Sequence, residues 1–200
     1  MNRTHALSAA ILALLLAGPA PAQDGTPKMT AEEQAAMAAY QKAATPGPAH
    51  ARLAASAGTY DLDVRSWTRP DAEPIADKGT ATRSMIMGGR MLVEDVEAQM
   101  MGMPFTGQGL RGYDNVTGKH WSTWIDSMGT GLMVGEGDCD ADGACVFHGV
   151  YNDVLSGKPV TTRITTRWTS ADTELFEMYG PGPDGKEAKM MEITYRKRGG

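Results

Sequence analysis

Within Gly112 to Gly131, "GYDNVTGKHWSTWIDSMGTG", a histidine, a serine and an aspartate stand close together at His120, Ser122 and Asp126. A serine hydrolase needs those side-chain types hydrogen-bonded in series. On an extended strand rising about 3.3 Å per residue, His120 and Asp126 are ~20 Å apart, so a triad is excluded by geometry. No Gly-x-Ser-x-Gly elbow occurs elsewhere in the chain. Alternation instead puts His120, Ser122, Trp124 and Asp126 on one face of a strand, and Lys119, Trp121, Thr123 and Ile125 on the other. Trp124 is the preferred inward residue, with Ser122 and Asp126 beside it as a polar cavity wall. The alternative is that both tryptophans are core packing.

Arg83, Glu94, Arg163, Glu177 and Glu192 interrupt apolar strand surroundings. Any of them that points inward must be paired, because an isolated buried charge is too costly to keep. With Ser122, Trp124 and Asp126 they form the candidate ligand-binding wall. Glu177 and Glu192 with Arg163 are also the set suited to acid–base chemistry, which makes an enzyme the alternative function. The plain alternative is a solvated outer face. No residue is assigned a catalytic role.

Fourteen methionines against three phenylalanines are the next anomaly. Met85-x-Met87 and Met101-x-Met103 each put two thioethers on one strand face, a soft donor set for Cu(I); methionine is equally a gap-filling core residue. His50, His120 and His148 offer an axial ligand to haem. None has a zinc-type spacing. Copper and haem therefore stand as alternatives, and no metal site or cofactor is predicted. The run "DCDADG" at Asp138 to Gly143 imitates the start of a calcium loop, but Gly149 occupies the position where a bidentate acid is required. It reads as a turn. Cys139 and Cys145 flank it at a span over which facing hairpin residues reach disulfide distance, so that disulfide is predicted.

The elements that position these residues follow from periodicity. Thr30 and Glu33 form a capping box ahead of a helix over 31–43. A second helix over 48–56 puts His50, Leu53, Ala54 and Ala57 on one face, and Gly58 ends it. Beyond Gly58 the period becomes two, with strands over 59–68, 76–87, 90–101, 104–114, 119–127, 130–138, 144–151, 160–168, 173–179 and 187–197. The short Gly-, Asn-, Asp- and Pro-rich links make sequential strands antiparallel. A mainly β, ten-stranded up-and-down barrel removes the two exposed edges of so long a sheet. A two-sheet sandwich is the alternative. Barrels of this size hold a small ligand, so a small molecule is the expected partner.

Arg3, the apolar run Ala6 to Leu16 and Ala20-Pro21-Ala22 read as a signal peptide cleaved after Ala22. The predicted organisation is a signal peptide over 1–22, a helical segment over 23–57 and a barrel over 58–200, in a periplasmic or secreted protein. The run is too short to span a bilayer, and no lipoprotein cysteine follows it, so no membrane anchor is expected. A formal net charge of −5 without a basic run argues against nucleic acid and anionic membranes.

The stretches "GPAH" at Gly47 to His50, "AGTYDL" at Ala57 to Leu62, "MGGRMLVED" at Met87 to Asp95, "GMPFTGQGLRGYDN" at Gly102 to Asn115, "STWIDSMGTG" at Ser122 to Gly131 and "FEMYGPGPDGKEAKMMEITYRK" at Phe176 to Lys197 together resemble the bacterial domain-of-unknown-function family 1579. The sequence departs from that pattern at Tyr60, where tryptophan is frequent, and in its two cysteines. The resemblance implies a lipocalin-like, calycin-type barrel closed at one end around Gly58-Thr59-Tyr60, with Arg196 as the partner of Tyr60. It implies no activity and brings no catalytic residues.

Overall fold

In a computed structural model of the protein, residues 28–154 and 156–199 are described. The signal peptide expected over 1–22 and the mature start at Gln23 lie outside them. The chain divides into two compact units, the first ending at Ala38 and the second beginning at Ala39. The described part of the first carries the opening turns of helix α1 (Ala31–Ala44). There Thr30 N–H donates to Glu33 Oε2 at 2.7 Å and Glu33 N–H to Thr30 Oγ1 at 3.2 Å, so two groups at the helix start are satisfied reciprocally.

The second unit holds the end of α1, helix α2 (Pro48–Ala55) and ten strands. These are β1 (Gly58–Ser66), β2 (Ile75–Ile86), β3 (Met91–Met100), β4 (Met103–Asp114), β5 (Lys119–Asp126), β6 (Met133–Cys139), β7 (Cys145–Asn152), β8 (Pro159–Ser170), β9 (Thr173–Pro181) and β10 (Glu187–Lys197). Each pairs antiparallel with the next, and β1 pairs with β10, closing the barrel and excluding the sandwich. Closure leaves no row of unpaired backbone groups along an edge.

Most strand boundaries differ from the expectation by one to three residues, and three of them have identifiable reasons. Met87 and Met101 belong to turns, with φ of 51° and 52°, because the tight hairpins after β2 and β3 need positive φ at more than the glycine positions. Asp77 steadies the second turn by accepting Met101 N–H at 2.8 Å. The methionine pairs therefore do not share a strand face, and Met87, Met101 and Met103 are exposed. The third is at β6, which begins at Met133 because Asp126 Oδ1 accepts Met128 N–H at 2.9 Å and turns the chain into the "SMGTGL" loop of 127–132.

Register sorts the faces. Tyr60, Leu62 and Val64 of β1, Ala81 of β2, Val96 of β3, Phe105 of β4 and Tyr195 of β10 make one buried cluster inside the barrel. Helix α2 packs at the end of β2, β3 and β4 that lies nearest the start of β1, capping it. His50, buried, accepts Gly47 N–H on Nδ1 at 3.0 Å and meets the Tyr113 ring edge-on at 5.9 Å. Asn115, in the β4–β5 turn, donates to the carbonyls of Ala43 and Thr45 at 3.1 and 2.8 Å. At that same end the Cys139–Cys145 disulfide joins facing residues of β6 and β7, with their Cα atoms 4.0 Å apart.

Candidate functional site

Below the capped end the barrel interior is charged. Arg83 and Glu94 face each other across β2 and β3, and Arg83 Nε donates to Glu94 Oε1 at 2.8 Å. Arg83 Nη1 donates to Glu174 Oε2 of β9 at 2.5 Å. Arg111 of β4 completes the set, its guanidinium 3.4 Å from Glu94 and 3.9 Å from Glu174. Arg83, Glu94 and Glu174 are buried, whereas the Arg111 side chain keeps 20 % of its surface uncovered. The Arg83 guanidinium lies 4.7 Å from the Tyr60 ring centre and 4.4 Å from that of Tyr195, so two aromatic faces sandwich the cation.

Electrostatics within this set balance. Burial opposes charge on Arg83, but Glu94 and Glu174 outweigh it and hold the guanidinium protonated. Burial likewise raises Glu94, yet Arg83 and Arg111 pull its carboxyl below the ordinary range. Burial pushes the Tyr195 phenol well up, with the Glu94 charge adding to it. Two cations and two carboxylates sum to zero. Arg83 Nη2 is buried without a hydrogen-bond partner, so the network is not fully satisfied within the protein.

Beyond the charges, β4, β6, β7 and β9 carry glycine at inward positions. The Trp124 indole lies flat across β4, where a Cβ on Gly107 would come 2.3 Å from Trp124 Cζ2. Its Nε1 donates to Asp126 Oδ2 at 2.9 Å, which fixes the ring along the wall, and it stacks on Phe105 at 6.4 Å. Met190 lies across Gly180 in the same way, its Sδ 2.4 Å from where a Cβ would stand, and Met133 against Gly149 at 3.0 Å. Such side chains lie over glycine on the neighbouring strand. Phe176, Ile193, Met133 and Met178 face inward by register yet are only half-buried. Uncovered apolar surface thus lines the interior.

Of the sequence-derived wall, Arg83, Glu94, Ser122, Trp124 and Asp126 face inward. Arg163, Glu177 and Glu192 do not, and they leave the candidate wall. Each sits between two inward residues, as Arg163 does between Thr162 and Ile164, so alternation sends it outside. There Arg163 donates to Glu187 at 2.9 and 2.6 Å, while Lys189 bridges Glu177 at 2.5 Å and Glu192 at 2.7 Å. The hydrogen bond from Lys189 leads in holding the Glu177 carboxyl below its ordinary range, so Glu177 is no proton donor near neutrality. The acid–base set has lost its cavity. Arg196 also points outward and pairs with Asp63; the cation against Tyr60 is Arg83.

Sequence reasoning missed Arg111, Glu174 and Tyr195, and gave Tyr60 Arg196 as its partner where the structure gives it Arg83. One signal was present: Arg111 shares strand parity with Gly109 and Tyr113, and Glu174 with Phe176. An open hollow of about 540 Å³ also lies outside β3 to β5, beside Gly129 and Gly131, with Asp95 and Glu97 on its wall. Asp95 already accepts Gln108 Nε2 at 2.8 Å. Among the described residues no group of three or more His, Cys, Asp or Glu is arranged to hold a metal ion. His120 is buried in ring contacts with Tyr113 at 4.9 Å and Phe147 at 6.5 Å, and His148 is exposed.

The fold defines a class: a closed ten-stranded antiparallel up-and-down barrel with a helical cap. The chain belongs to the family described as protein of unknown function (DUF1579), which matches residues 45–197. No curated protein matches the sequence. Among solved structures it is similar to Rv2717c from M. tuberculosis, at 12% identity and a TM-score of 0.57 over 78% of this chain and 100% of that one. It is also similar to the S-type phycobiliprotein lyase CPES from Guillardia theta, at 10% identity and a TM-score of 0.56 over 80% of this chain and 97% of that one. At such identities the likeness is one of fold.

Proposed function

We propose that the protein is exported and binds a small apolar or amphipathic molecule inside its barrel. The observation that carries the reading is that Met133 and Met178, and Trp124, Phe176 and Ile193 where they do not pack on the buried cluster, face inward and keep part of their surface uncovered. A barrel that exists only to be stable fills its axis with side chains. Here the bulky groups lie along the wall over glycine, and uncovered hydrophobic surface is stabilised by an apolar guest at roughly 25 cal/mol per Å². Thioethers suit that role, because methionine adapts to guests of different shape. The fold shared with a phycobiliprotein lyase supports the reading only as a barrel used for chemistry in another protein.

Export is supported by the charged, apolar and small-residue segments of 1–22 and by a disulfide, a bond that persists in oxidising compartments. Native mass spectrometry of the protein isolated from its own periplasm or medium tests both parts. The expected spectrum shows a chain beginning at Gln23 with an additional bound mass that collisional activation removes. A chain retaining residues 1–22 defeats export. A bare mass that takes up no hydrophobic dye defeats binding.

A further inference from the structure

The charged end of the lumen bears on what kind of guest fits. Arg83 and Arg111 resemble an anion trap until their partners are counted. Glu94 and Glu174 neutralise them, at 2.8 and 2.5 Å from Arg83 and 3.4 and 3.9 Å from Arg111. Arg83 is sealed between tyrosine rings, so the group left facing the lumen is Arg111, opposite Ser122 in the β4–β5 register. A guanidinium has five N–H donors. Arg111 gives one to Glu94 at 3.4 Å, and its contact with Glu174 at 3.9 Å is an ion pair beyond hydrogen-bond length. Ser122 adds a hydroxyl on the same inward face, half-buried.

We infer that the deep end of the lumen takes an uncharged hydrogen-bond acceptor, the carbonyl or hydroxyl of an ester, amide or alcohol, on Arg111 and Ser122, and rejects a carboxylate. The inference rests on the binding reading above and names the chemistry of its ligand. A neutral acceptor uses the spare Arg111 donors and leaves the charge balance at zero. A carboxylate placed there loses its water and adds a third negative charge to a set in which both cations are already matched. An uncompensated charge in a low-dielectric site is the costlier guest.

The test uses two fluorescent probes that differ only at the head: 11-(dansylamino)undecanoic acid and its methyl ester. Binding is read at neutral pH by energy transfer from tryptophan to dansyl. The wild type is expected to bind the ester at least about tenfold more tightly than the acid, a difference of ~1.4 kcal/mol. Glu174→Gln removes one negative charge and shifts the acid-to-ester ratio toward the acid by about tenfold. Arg111→Met removes the accessible cation and its donors; it weakens the ester several-fold and the acid further. If Glu174→Gln does not fold, as judged by circular dichroism, Arg111→Met carries the test, because its side chain is the part-exposed member of the set.

An acid bound as tightly as the ester by the wild type, or a ratio that the folded variants leave unchanged, overturns the inference while binding itself stands. Failure of both probes to bind the wild type overturns the inference together with the binding reading.

Discussion

The two flanks of the barrel are built from the same alternation and solve opposite problems. On β1 to β3 and β10 the inward positions carry Tyr60, Leu62, Val64, Ala81, Val96 and Tyr195, all buried, around the sandwiched Arg83. On β6, β7 and β9 the corresponding positions include Gly135, Gly149 and Gly180, and neighbouring side chains lie over them. The first flank is packed to stabilise the fold. The second keeps the wall thin, so its inward methionines and aromatics retain uncovered surface. The difference indicates that interior charge and inward glycine are separate devices: Arg83 and Glu94 belong to the packed flank, and most of the inward glycines to the other.

Substitutions at the packed end should break the fold most severely. Arg83→Met leaves Glu94 and Glu174 buried without their principal cation, and a loss of about 3–5 kcal/mol is expected in urea unfolding. A loss below ~1 kcal/mol would show that water reaches these carboxylates.

The next largest effect contrasts the flanks directly. Leu62→Ala, at a side chain that is buried, is expected to cost about 2–5 kcal/mol, the usual range for deleting a core aliphatic group. Met133→Ala, at a half-buried position, is expected to cost less than about 1.5 kcal/mol. Equal costs measured by chemical denaturation would erase the distinction between a filled and an open flank.

Replacing both cysteines by serine should lower stability by about 2 kcal/mol, since the loop between Cys139 and Cys145 is short and little chain entropy is recovered. The same shift should follow reduction by dithiothreitol, read as a change in melting temperature. Melting that is indifferent to reductant would mean the bond contributes nothing to the hairpin.

The smallest effect is one of pH. His120 lies below its ordinary value of 6.5, first because it is buried and then because Arg52 faces it, with His50 in the same sense and Asp138 opposing. The folded protein therefore binds fewer protons at this site than the unfolded chain. Its contribution is complete above about pH 6.5 and is lost as pH falls through the lower folded value. Urea midpoints should decline on going from pH 7 to 5 in the wild type and decline less in His120→Gln; parallel curves would remove His120 from the account. Glu94, also lowered, adds its own decline below the ordinary carboxylate range.

Strand number, order and approximate boundaries were legible because alternation and turn residues are local signals. Ten runs joined by short links leave sequential pairing as the simple topology. Of the boundaries that moved, those at Met87, Met101 and 127–132 lie where methionine takes up a positive φ or where a side-chain carboxylate turns the chain, neither of which periodicity reports. The candidate wall was legible only in part. Arg83, Glu94, Ser122, Trp124 and Asp126 share the inward parity, whereas Arg163, Glu177 and Glu192 have the other, a difference visible only once each strand's buried face is known.

By itself the sequence determined an antiparallel β chain with a helical start and one cysteine hairpin, because φ preferences, alternation and short loops act between near neighbours. Only the tertiary structure decided that Arg83 would meet Glu174, 91 residues away, that Arg111 would be the cation left facing the lumen, and that glycine would make room for Trp124. Those contacts depend on barrel closure and register across strands, which bring distant residues together, and no local pattern encodes the distance between them.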